Sequence, residues 1–334
     1  MHRNLPILLV TATALCVLAA DPAFAAVGAP GQKTPLASAS PLEVVVLGSG
    51  GPGAVGRAAS SYLVLLDGVP RILVDAGPGS FARLGETGLS LARVDTVLLT
   101  HLHADHAGEL PGLFKARAVS SGGPIRFSIF GPAGTRAHGG AAAFPSTSRF
   151  IELLFGQRGA FAYLRDFAAP ITFRVTDLPV RGRGMTAPAE IVSGGDLIVR
   201  AIAGHHGDAP AVIYRIDYSG RSVTFSGDID AKGLPALEKL AAHTGLLVFN
   251  AVVLDPPGSP EILYSLHTPP DSIGALAHRA GAWALLLSHL SPAVDGDRSA
   301  VAASIARNYQ GPVSFAADGL RMSPLGVQPE GAGR

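Results

Sequence analysis

The chain has little cysteine, tryptophan or charge. Its 334 residues include one cysteine, Cys16, and one tryptophan. A single thiol cannot form a disulfide within the chain, so the fold has no cysteine framework. Charged residues make up only 15% of the sequence, and the formal net charge is +1. Because nucleic-acid binding usually rests on a positive surface, this balance predicts no nucleic-acid partner.

No apolar run is long enough for a membrane span of about 20 residues. The longest, residues 5–20, follows Arg3 and precedes the small-x-small sequence Ala23-Phe24-Ala25. This arrangement predicts a signal peptide over residues 1–26 that is cleaved on export. A small, featureless segment, residues 27–41, then reads as a flexible leader. We therefore expect a periplasmic or secreted protein without a stable membrane anchor.

The sequence also lacks a G-x-S-x-G motif, so it offers no serine nucleophile of the usual hydrolase type. Instead, the residues between His101 and His106 supply three imidazoles and a carboxylate, directly after a short apolar strand pattern. Alternation would point His101 and His103 the same way, toward one ion, while Asp105 and His106 lie at a turn that can face a second. Nitrogen and oxygen ligands without thiolate suit Zn²⁺ first, with Mn²⁺ and Fe²⁺ as alternatives. A solvated polar turn is the competing interpretation.

Further ligand-type side chains follow other predicted strands, where binding sites are commonly built. These residues are His205 and His206, Asp228, His289, and Asp75. His205 and His206 are neighbours, so only one of them can readily face an ion. A carboxylate such as Asp228 can bridge two ions, and Asp75 could orient an imidazole from behind or simply belong to a turn. His267 precedes a helix start and is a candidate general acid or a helix cap.

The pattern of elements predicts one domain over residues 42–322, followed by a tail at 323–334. Short β-type runs dominate its first part, whereas strands and helices alternate in its last part, which indicates two sheets with helices outside. An aromatic-rich stretch with helical spacing, residues 144–168, reads as an insertion. It could cap a pocket or pack on the core.

These motifs resemble the metallo-β-lactamase superfamily. The run His101-x-His103-x-Asp105-His106 is followed in order by His206, Asp228 and His289. Within the superfamily, the branch that holds ribonuclease Z and arylsulfatase-like hydrolases is similar at several short motifs. Those motifs are Gly50-Gly51-Pro52, Arg57, Ser60-Ser61-Tyr62-Leu63-Val64 and Asp75-Ala76-Gly77. The resemblance covers residues 42–320.

The resemblance implies an α+β fold, a four-layer αββα sandwich, with two metal ions, expected to be Zn²⁺, at the sheet edge. It implies that one ion is held by His101, His103 and His206, the other by Asp105, His106 and His289, and that Asp228 bridges them. The choice of His206 over His205 rests on Gly207-x-x-Pro210-Ala211, which follows the metal histidine in this branch. A metal-bound hydroxide would attack the substrate and His267 would donate a proton to the leaving oxygen. Asp105 and His267 are thus the predicted catalytic residues, with Asp75 supporting a ligand.

The chain departs from ribonuclease Z at two places. That family carries a long tRNA-gripping arm between the positions of His206 and Asp228, where this chain has only 21 residues. Its His-Glu dipeptide, whose glutamate supports the general acid, is Phe249-Asn250 here. Together with the predicted export, these departures argue against tRNA processing.

The function expected from the sequence is therefore an exported dinuclear-metal hydrolase of phosphate or sulfate esters, similar to phosphodiesterases and arylsulfatases. Its expected partner is a small-molecule ester, with no nucleic acid, and a homodimer is left open. A lactonase or other carboxyl-ester hydrolase on the same scaffold is the alternative. A non-catalytic metal- or substrate-binding protein and a tRNA 3′-end endonuclease rank below it.

Overall fold

The chain forms two seven-stranded sheets in a computed structural model that describes residues 40–53, 55–137, 143–180 and 184–324. The first sheet has the order β14-β1-β2-β3-β4-β5-β6. Its strands are β1 (Leu42–Gly48), β2 (Ser61–Leu66), β3 (Val69–Val74), β4 (Thr96–Leu98), β5 (Ile125–Pro132), β6 (Ile171–Leu178) and β14 (Arg321–Met322).

The second sheet has the order β13-β12-β11-β10-β9-β8-β7. Its strands are β7 (Ala189–Gly194), β8 (Leu197–Ala203), β9 (Val212–Tyr218), β10 (Arg221–Phe225), β11 (Leu246–Asn250), β12 (Leu285–Ser288) and β13 (Val313–Phe315). The helices are α1 (Ser80–Thr87), α2 (Ala104–Ala107), α3 (Leu110–Val119), α4 (Thr147–Phe155), α5 (Leu234–Leu240), α6 (Pro270–Arg279), α7 (Pro292–Gly296) and α8 (Arg298–Ala306). Two short 3₁₀ helices span Ala162–Arg165 and Glu261–Ser265.

Strand β1 shows how the sequence produces the layers. All seven of its residues are buried, although alternate side chains of a strand point to opposite faces. Val44 and Val46 join the core between the sheets, where residues of the second sheet such as Tyr214 also lie. Val45 and Leu47 join a different core, which helices cover on the outer face. A strand covered on both faces is mostly apolar, as β1 is apart from Glu43, whose carboxylate accepts a hydrogen bond from Arg321 of β14.

Helices complete the two outer layers. Leu84 of α1 and Phe114 of α3 pack in the outer core of the first sheet. Leu237 of α5 and Ile273 of α6 pack in the outer core of the second sheet. The predicted four-layer αββα sandwich is therefore confirmed.

Parallel pairing brings the carboxyl ends of several strands to one edge of each sheet. Strands β3 to β6 pair in parallel in the first sheet, and β10 to β13 do so in the second. The carboxyl ends of parallel strands lie at the same edge of a sheet, which is where open α/β sheets bind ligands. The residues that follow β3, β4, β10 and β12 are therefore brought to a common edge.

The insertion predicted at residues 144–168 is only partly helical. Helix α4 ends at Phe155, next to Gly156, and a 3₁₀ turn follows. Ile151, Phe155 and Leu164 are buried in the outer core of the first sheet. The segment therefore contributes mainly to packing, with only its start near the predicted site.

Predictions for the chain ends fall largely beyond these residues. The signal peptide at 1–26, nearly all of the leader at 27–41 and most of the tail at 323–334 lie outside the described residues. Within the part of the chain that the structure describes, no helix has the length and apolar character to cross a bilayer.

Candidate metal centre

Three imidazoles predicted to share an ion lie together at the strand edge. His101 and His103 follow β4, and His206 follows β8; their ligand atoms all lie within 4.8 Å of one another. His101 and His206 are buried. The Nδ1 of His206 donates to the carbonyl of Leu266 at 2.8 Å. This bond places the proton on Nδ1 and leaves the Nε2 lone pair of His206 for a metal.

The second predicted set also meets. Ligand atoms of Asp105, His106 and His289 lie within 4.8 Å of one another. The turn after β4 supplies Asp105 and His106, because the four-residue helix α2 begins directly behind His103. His289 follows β12 and adopts a φ of +55°, a left-handed conformation that is uncommon for a residue other than glycine. Each sheet thus contributes to this set.

The Asp75 carboxylate lies behind the imidazole of His106. The Nδ1 of His106 donates to Asp75 Oδ2 at 2.8 Å. The Thr100 backbone N–H and hydroxyl donate to the two oxygens of the same carboxylate at 2.7 and 2.8 Å. With its proton held on Nδ1, His106 turns its Nε2 lone pair toward the centre.

Asp228 lies between the two sets. Its Oδ2 is 3.7 Å from the Nε2 atoms of both His106 and His206. The same oxygen lies 3.5 Å from the Nε2 of His289 and 4.0 Å from that of His101. One carboxylate oxygen therefore faces imidazoles of both sets, which is the arrangement that a bridging ligand requires.

The electrostatics of the centre follow from burial and from mutual interaction. Burial lowers the pKa of His101 well below its ordinary value. Burial alone would also lower the pKa of His106, but the carboxylates of Asp228 and Asp75 outweigh it and raise that pKa well above the ordinary value. Burial would raise the pKa of Asp228, yet His289 and His106 hold it well below its usual range. Asp228 is thus ionised, the form that binds cations.

The residues fit a pair of divalent cations. The Nε2 of His106 is buried and has no hydrogen-bond partner within the described residues, although buried polar atoms nearly always have one. This nitrogen faces the Oδ2 atoms of Asp105 and Asp228, at 3.8 and 3.7 Å. A cation between these atoms would satisfy all three. The imidazole and carboxylate donors suit Zn²⁺, Mn²⁺ or Fe²⁺.

His267 lies beside the centre. A ligand atom of His267 lies within 4.8 Å of those of His206 and Asp228. Its Nδ1 is buried without a partner among the described residues, and burial lowers the pKa of the ring to about 4. His267 is therefore neutral near pH 7, and no carboxylate of the described residues accepts a hydrogen bond from its Nδ1.

The other histidines have different surroundings. His205 belongs to none of the ligand groups found among the described residues, and its Nδ1 donates to Asp230 at 2.7 Å. His278 is exposed on α6, and His243 lies in a turn after α5. His138 lies outside the described residues.

Sequence reasoning missed four residues that shape the centre. Thr100 holds Asp75, and Asn250 donates to Asp228 Oδ1 at 2.7 Å. Gly51 lies against His289, so close that a Cβ at this position would be 2.7 Å from the imidazole. The ring of Phe144 lies 6.0 Å from that of His103. Gly51 lies in the glycine-rich motif, Asn250 in the dipeptide that replaces His-Glu, and Phe144 at the start of the aromatic stretch. Their contacts in the centre were not predicted, because they depend on tertiary structure.

Comparison with known proteins identifies the class of the chain. The model of the metallo-beta-lactamase superfamily matches residues 54–265. The ribonuclease Z of Mycobacterium avium (strain 104) is 33% identical over 290 residues, which cover 83% of this chain and 96% of that protein. The chain therefore belongs to the metallo-β-lactamase superfamily, in the branch of the proteins named ribonuclease Z.

A second curated relative agrees with this placement, and a solved structure agrees with the fold. The ribonuclease Z of Mycolicibacterium paratuberculosis is 32% identical, with coverage of 83% of this chain and 96% of the relative. The crystal structure of the short form of human tRNase Z matches with a TM-score of 0.61 and 22% identity, over 85% of this chain and 99% of that one. The latter match, at this identity, shows the fold alone. The predicted resemblance to the ribonuclease Z branch is confirmed, and the chain is a metal-dependent hydrolase.

These relatives correct two predictions. The prediction of a hydrolase of small phosphate or sulfate esters was wrong, because the relatives are named for the cleavage of RNA. The expectation of a small-molecule partner and no nucleic acid was wrong for the same reason. The expectation of no nucleic acid rested on a net charge of +1, which is an average and does not exclude a local positive patch. The argument against tRNA rested on the short segment between His206 and Asp228, on Phe249-Asn250 and on the predicted export. The arylsulfatase-like interpretation has no support, whereas the lowest-ranked alternative, a tRNA endonuclease, fits the relatives' names.

Proposed function

We propose that this protein is a ribonuclease that hydrolyses phosphodiester bonds of RNA with the aid of two divalent cations. The observation that carries the proposal is the position of Asp228 Oδ2, which faces imidazoles of both ligand sets. Two adjacent cations suit phosphodiester cleavage, because both the attacking and the leaving oxygen need charge stabilisation. The sequence similarity to ribonuclease Z makes RNA the substrate to favour, and tRNA the first RNA to test.

In this proposal, His101, His103 and His206 hold one cation, and Asp105, His106 and His289 hold the other. Zn²⁺ is the proposed metal, because such donors commonly bind it. Bound cations would polarise the phosphoryl group and lower the pKa of a water molecule.

The protein's own groups divide the remaining work. Asp75 keeps the His106 proton on Nδ1, which orients the ring throughout the reaction. His267 is neutral near pH 7, so its role is to donate a hydrogen bond from its N–H to a substrate oxygen rather than to act as a strong acid. Phe144, beside His103, lies where it can restrict access to that side of the centre.

The proposal is tested with metal-stripped protein that is reloaded with Zn²⁺, Mn²⁺ or Fe²⁺. Cleavage is measured on a tRNA carrying a 3′ extension and on bis(4-nitrophenyl) phosphate. We expect both to be cleaved by reloaded protein and neither by stripped protein. His101→Ala should abolish cleavage, whereas His278→Ala, on the exposed face of α6, should leave it unchanged. Cleavage of the chromogenic diester without cleavage of any RNA would contradict the proposal that RNA is the substrate. Cleavage by metal-stripped protein would contradict the proposed role of the cations.

Export remains a separate proposal. It is supported by the N-terminal pattern alone: Arg3, the apolar run and the small-x-small sequence before Ala26. Determination of the mature N-terminus after expression in a bacterial host tests it, with Ala26 as the expected first residue. A product that retains residues 1–26 in the cytoplasm would contradict it.

A further inference from the structure

Asn250 occupies a fixed position beside the shared carboxylate. It is the last residue of β11, which pairs in parallel with β10, the strand that leads to Asp228. Its backbone N–H donates to the Ser226 hydroxyl at 3.2 Å. The side chain is 5% exposed. Parallel pairing of these two strands therefore places the amide of Asn250 against the loop that carries Asp228.

The contact distinguishes the two oxygens of Asp228. The Nδ2 of Asn250 donates to Oδ1 at 2.7 Å, whereas the distances under 4.0 Å to His106, His206 and His289 all involve Oδ2. An unrestrained carboxylate can turn about its terminal torsion, which is broad, and so exchange its oxygens. The hydrogen bond from Asn250 prevents that turn.

We infer that Asn250 is a positioning residue that ties down Oδ1 of Asp228 and so reserves Oδ2 as the single oxygen shared by the two cations. Hydrogen bonds to metal-binding carboxylates orient the ligand, and their loss typically costs about 10–100-fold in metal affinity. An amide suits this position, because it donates without adding charge. A carboxylate here would face Asp228 as a like charge, and an apolar side chain could not donate.

The Asn250 amide donates a hydrogen bond to Asp228 and none to Nδ1 of His267. The Nδ1 of His267 has no hydrogen-bond partner within the described residues, so the amide does not support it. The inference rests on the metal-binding part of the proposed function and is independent of RNA as the substrate. Its readouts are therefore metal binding and spectroscopy.

The test compares Asn250→Leu, which removes the donor at similar size, with Asn308→Leu, the same change in the turn after α8, where the amide donates to Asp271. Zn²⁺ binding to stripped protein is measured by calorimetry, and the visible absorption of Co²⁺-loaded protein reports the ligand geometry. We expect Asn250→Leu to weaken binding by about 10–100-fold and to change the Co²⁺ spectrum. Asn308→Leu should do neither. Unaltered affinity and spectrum in Asn250→Leu would overturn the inference.

A double-mutant cycle separates positioning from general damage to the fold. In an Asp228→Ala background the amide has no carboxylate to hold, so Asn250→Leu should cause little further loss of Zn²⁺ affinity. An equal loss in both backgrounds would show that Asn250 acts on the fold and not through Asp228. If the unchanged protein bound no divalent cation, the proposed function would fail as well, whereas normal binding with no effect of Asn250→Leu would defeat this inference alone.

Discussion

The two sheets contribute to the metal centre in different ways. The first sheet supplies four candidate ligands from one turn, between His101 and His106. The second sheet supplies three from separate strand ends, His206, Asp228 and His289. The first contribution is set by local sequence, whereas the second depends on the correct pairing of β8 to β12. The ligands from the first sheet should therefore keep their positions after changes in distant packing better than the ligands from the second sheet.

The supporting hydrogen bonds follow the same division. His106 is held by Asp75, which the Thr100 backbone and hydroxyl fix in turn. Apart from its contacts with histidines, the Asp228 carboxylate accepts one hydrogen bond among the described residues, from Asn250. His267 has an unpartnered Nδ1. His106, which follows the first sheet, is therefore held by more hydrogen bonds than Asp228 or His267.

The largest effect is expected for Asp228→Ala, which removes the one group that faces both ligand sets. Loss of a shared ligand should exceed the about 100-fold upper range typical of supporting partners. We expect the rate of phosphodiester cleavage and the affinity for the second equivalent of Zn²⁺ both to fall beyond that range. Rate and calorimetric measurements on one sample check this. A variant that keeps two tightly bound cations would show that the second sheet contributes less than the comparison implies.

The next effect concerns His267 and the pH stability of stripped protein. Burial lowers its pKa from 6.5 to about 4 in the folded state. The unfolded chain therefore takes up the proton first, so this contribution to stability is complete above pH 6.5 and is lost as the pH falls toward 4. The loss amounts to at most about 3 kcal/mol. Urea unfolding at pH 7.5 and pH 4.5 should show a smaller loss in His267→Gln than in the unchanged chain, and equal losses would contradict the prediction.

On the first sheet, Asp75→Asn should produce a smaller change. The amide keeps the shape of the carboxylate but leaves the three donors from Thr100 and His106 with one fewer acceptor. A buried unsatisfied donor costs about 1–3 kcal/mol, and metal affinity should fall by about 10–100-fold. The control is Asp95→Asn, since Asp95 is a half-exposed carboxylate paired with Arg117. If Asp75→Asn matched Asp228→Ala in its effect on metal binding, the two halves of the centre would be equally sensitive.

The same division explains how much could be predicted from the sequence. The ligands between His101 and His106 were predictable because their spacing alone brings them together. His206, Asp228 and His289 were found through strand ends and family resemblance, and parallel pairing then placed them at one edge. Asn250 was noticed only as a departure from the family's His-Glu dipeptide, because its contact with Asp228 exists only when β11 lies beside β10.

The fold shows comparable limits. Strands rich in apolar residues, such as β1 and β5, were recognisable from the sequence. Helix α1 was missed because it begins after Gly79, without a capping side chain. The aromatic stretch at 144–168 suggested more helix than α4 provides, since hydrophobic spacing cannot show that the helix stops at Gly156. The prediction of no nucleic-acid partner rested on composition, which reports average charge and not its location.

The smallest effect is expected where the first sheet touches the second through Gly51. A Cβ at this position would lie 2.7 Å from Nδ1 and Cε1 of His289, closer than real Cβ contacts. Gly51→Ala must therefore displace the imidazole. We expect the affinity for one cation to fall by about 10-fold, the lower end of the range for supporting groups. Gly53→Ala is the matched control, because its Cβ would meet only Pro292, at 3.5 Å. Zn²⁺ titration of both variants tests the difference. Equal affinities would mean that His289 can shift without loss, and hence that the second-sheet ligands are less dependent on exact packing than their scattered origin suggests.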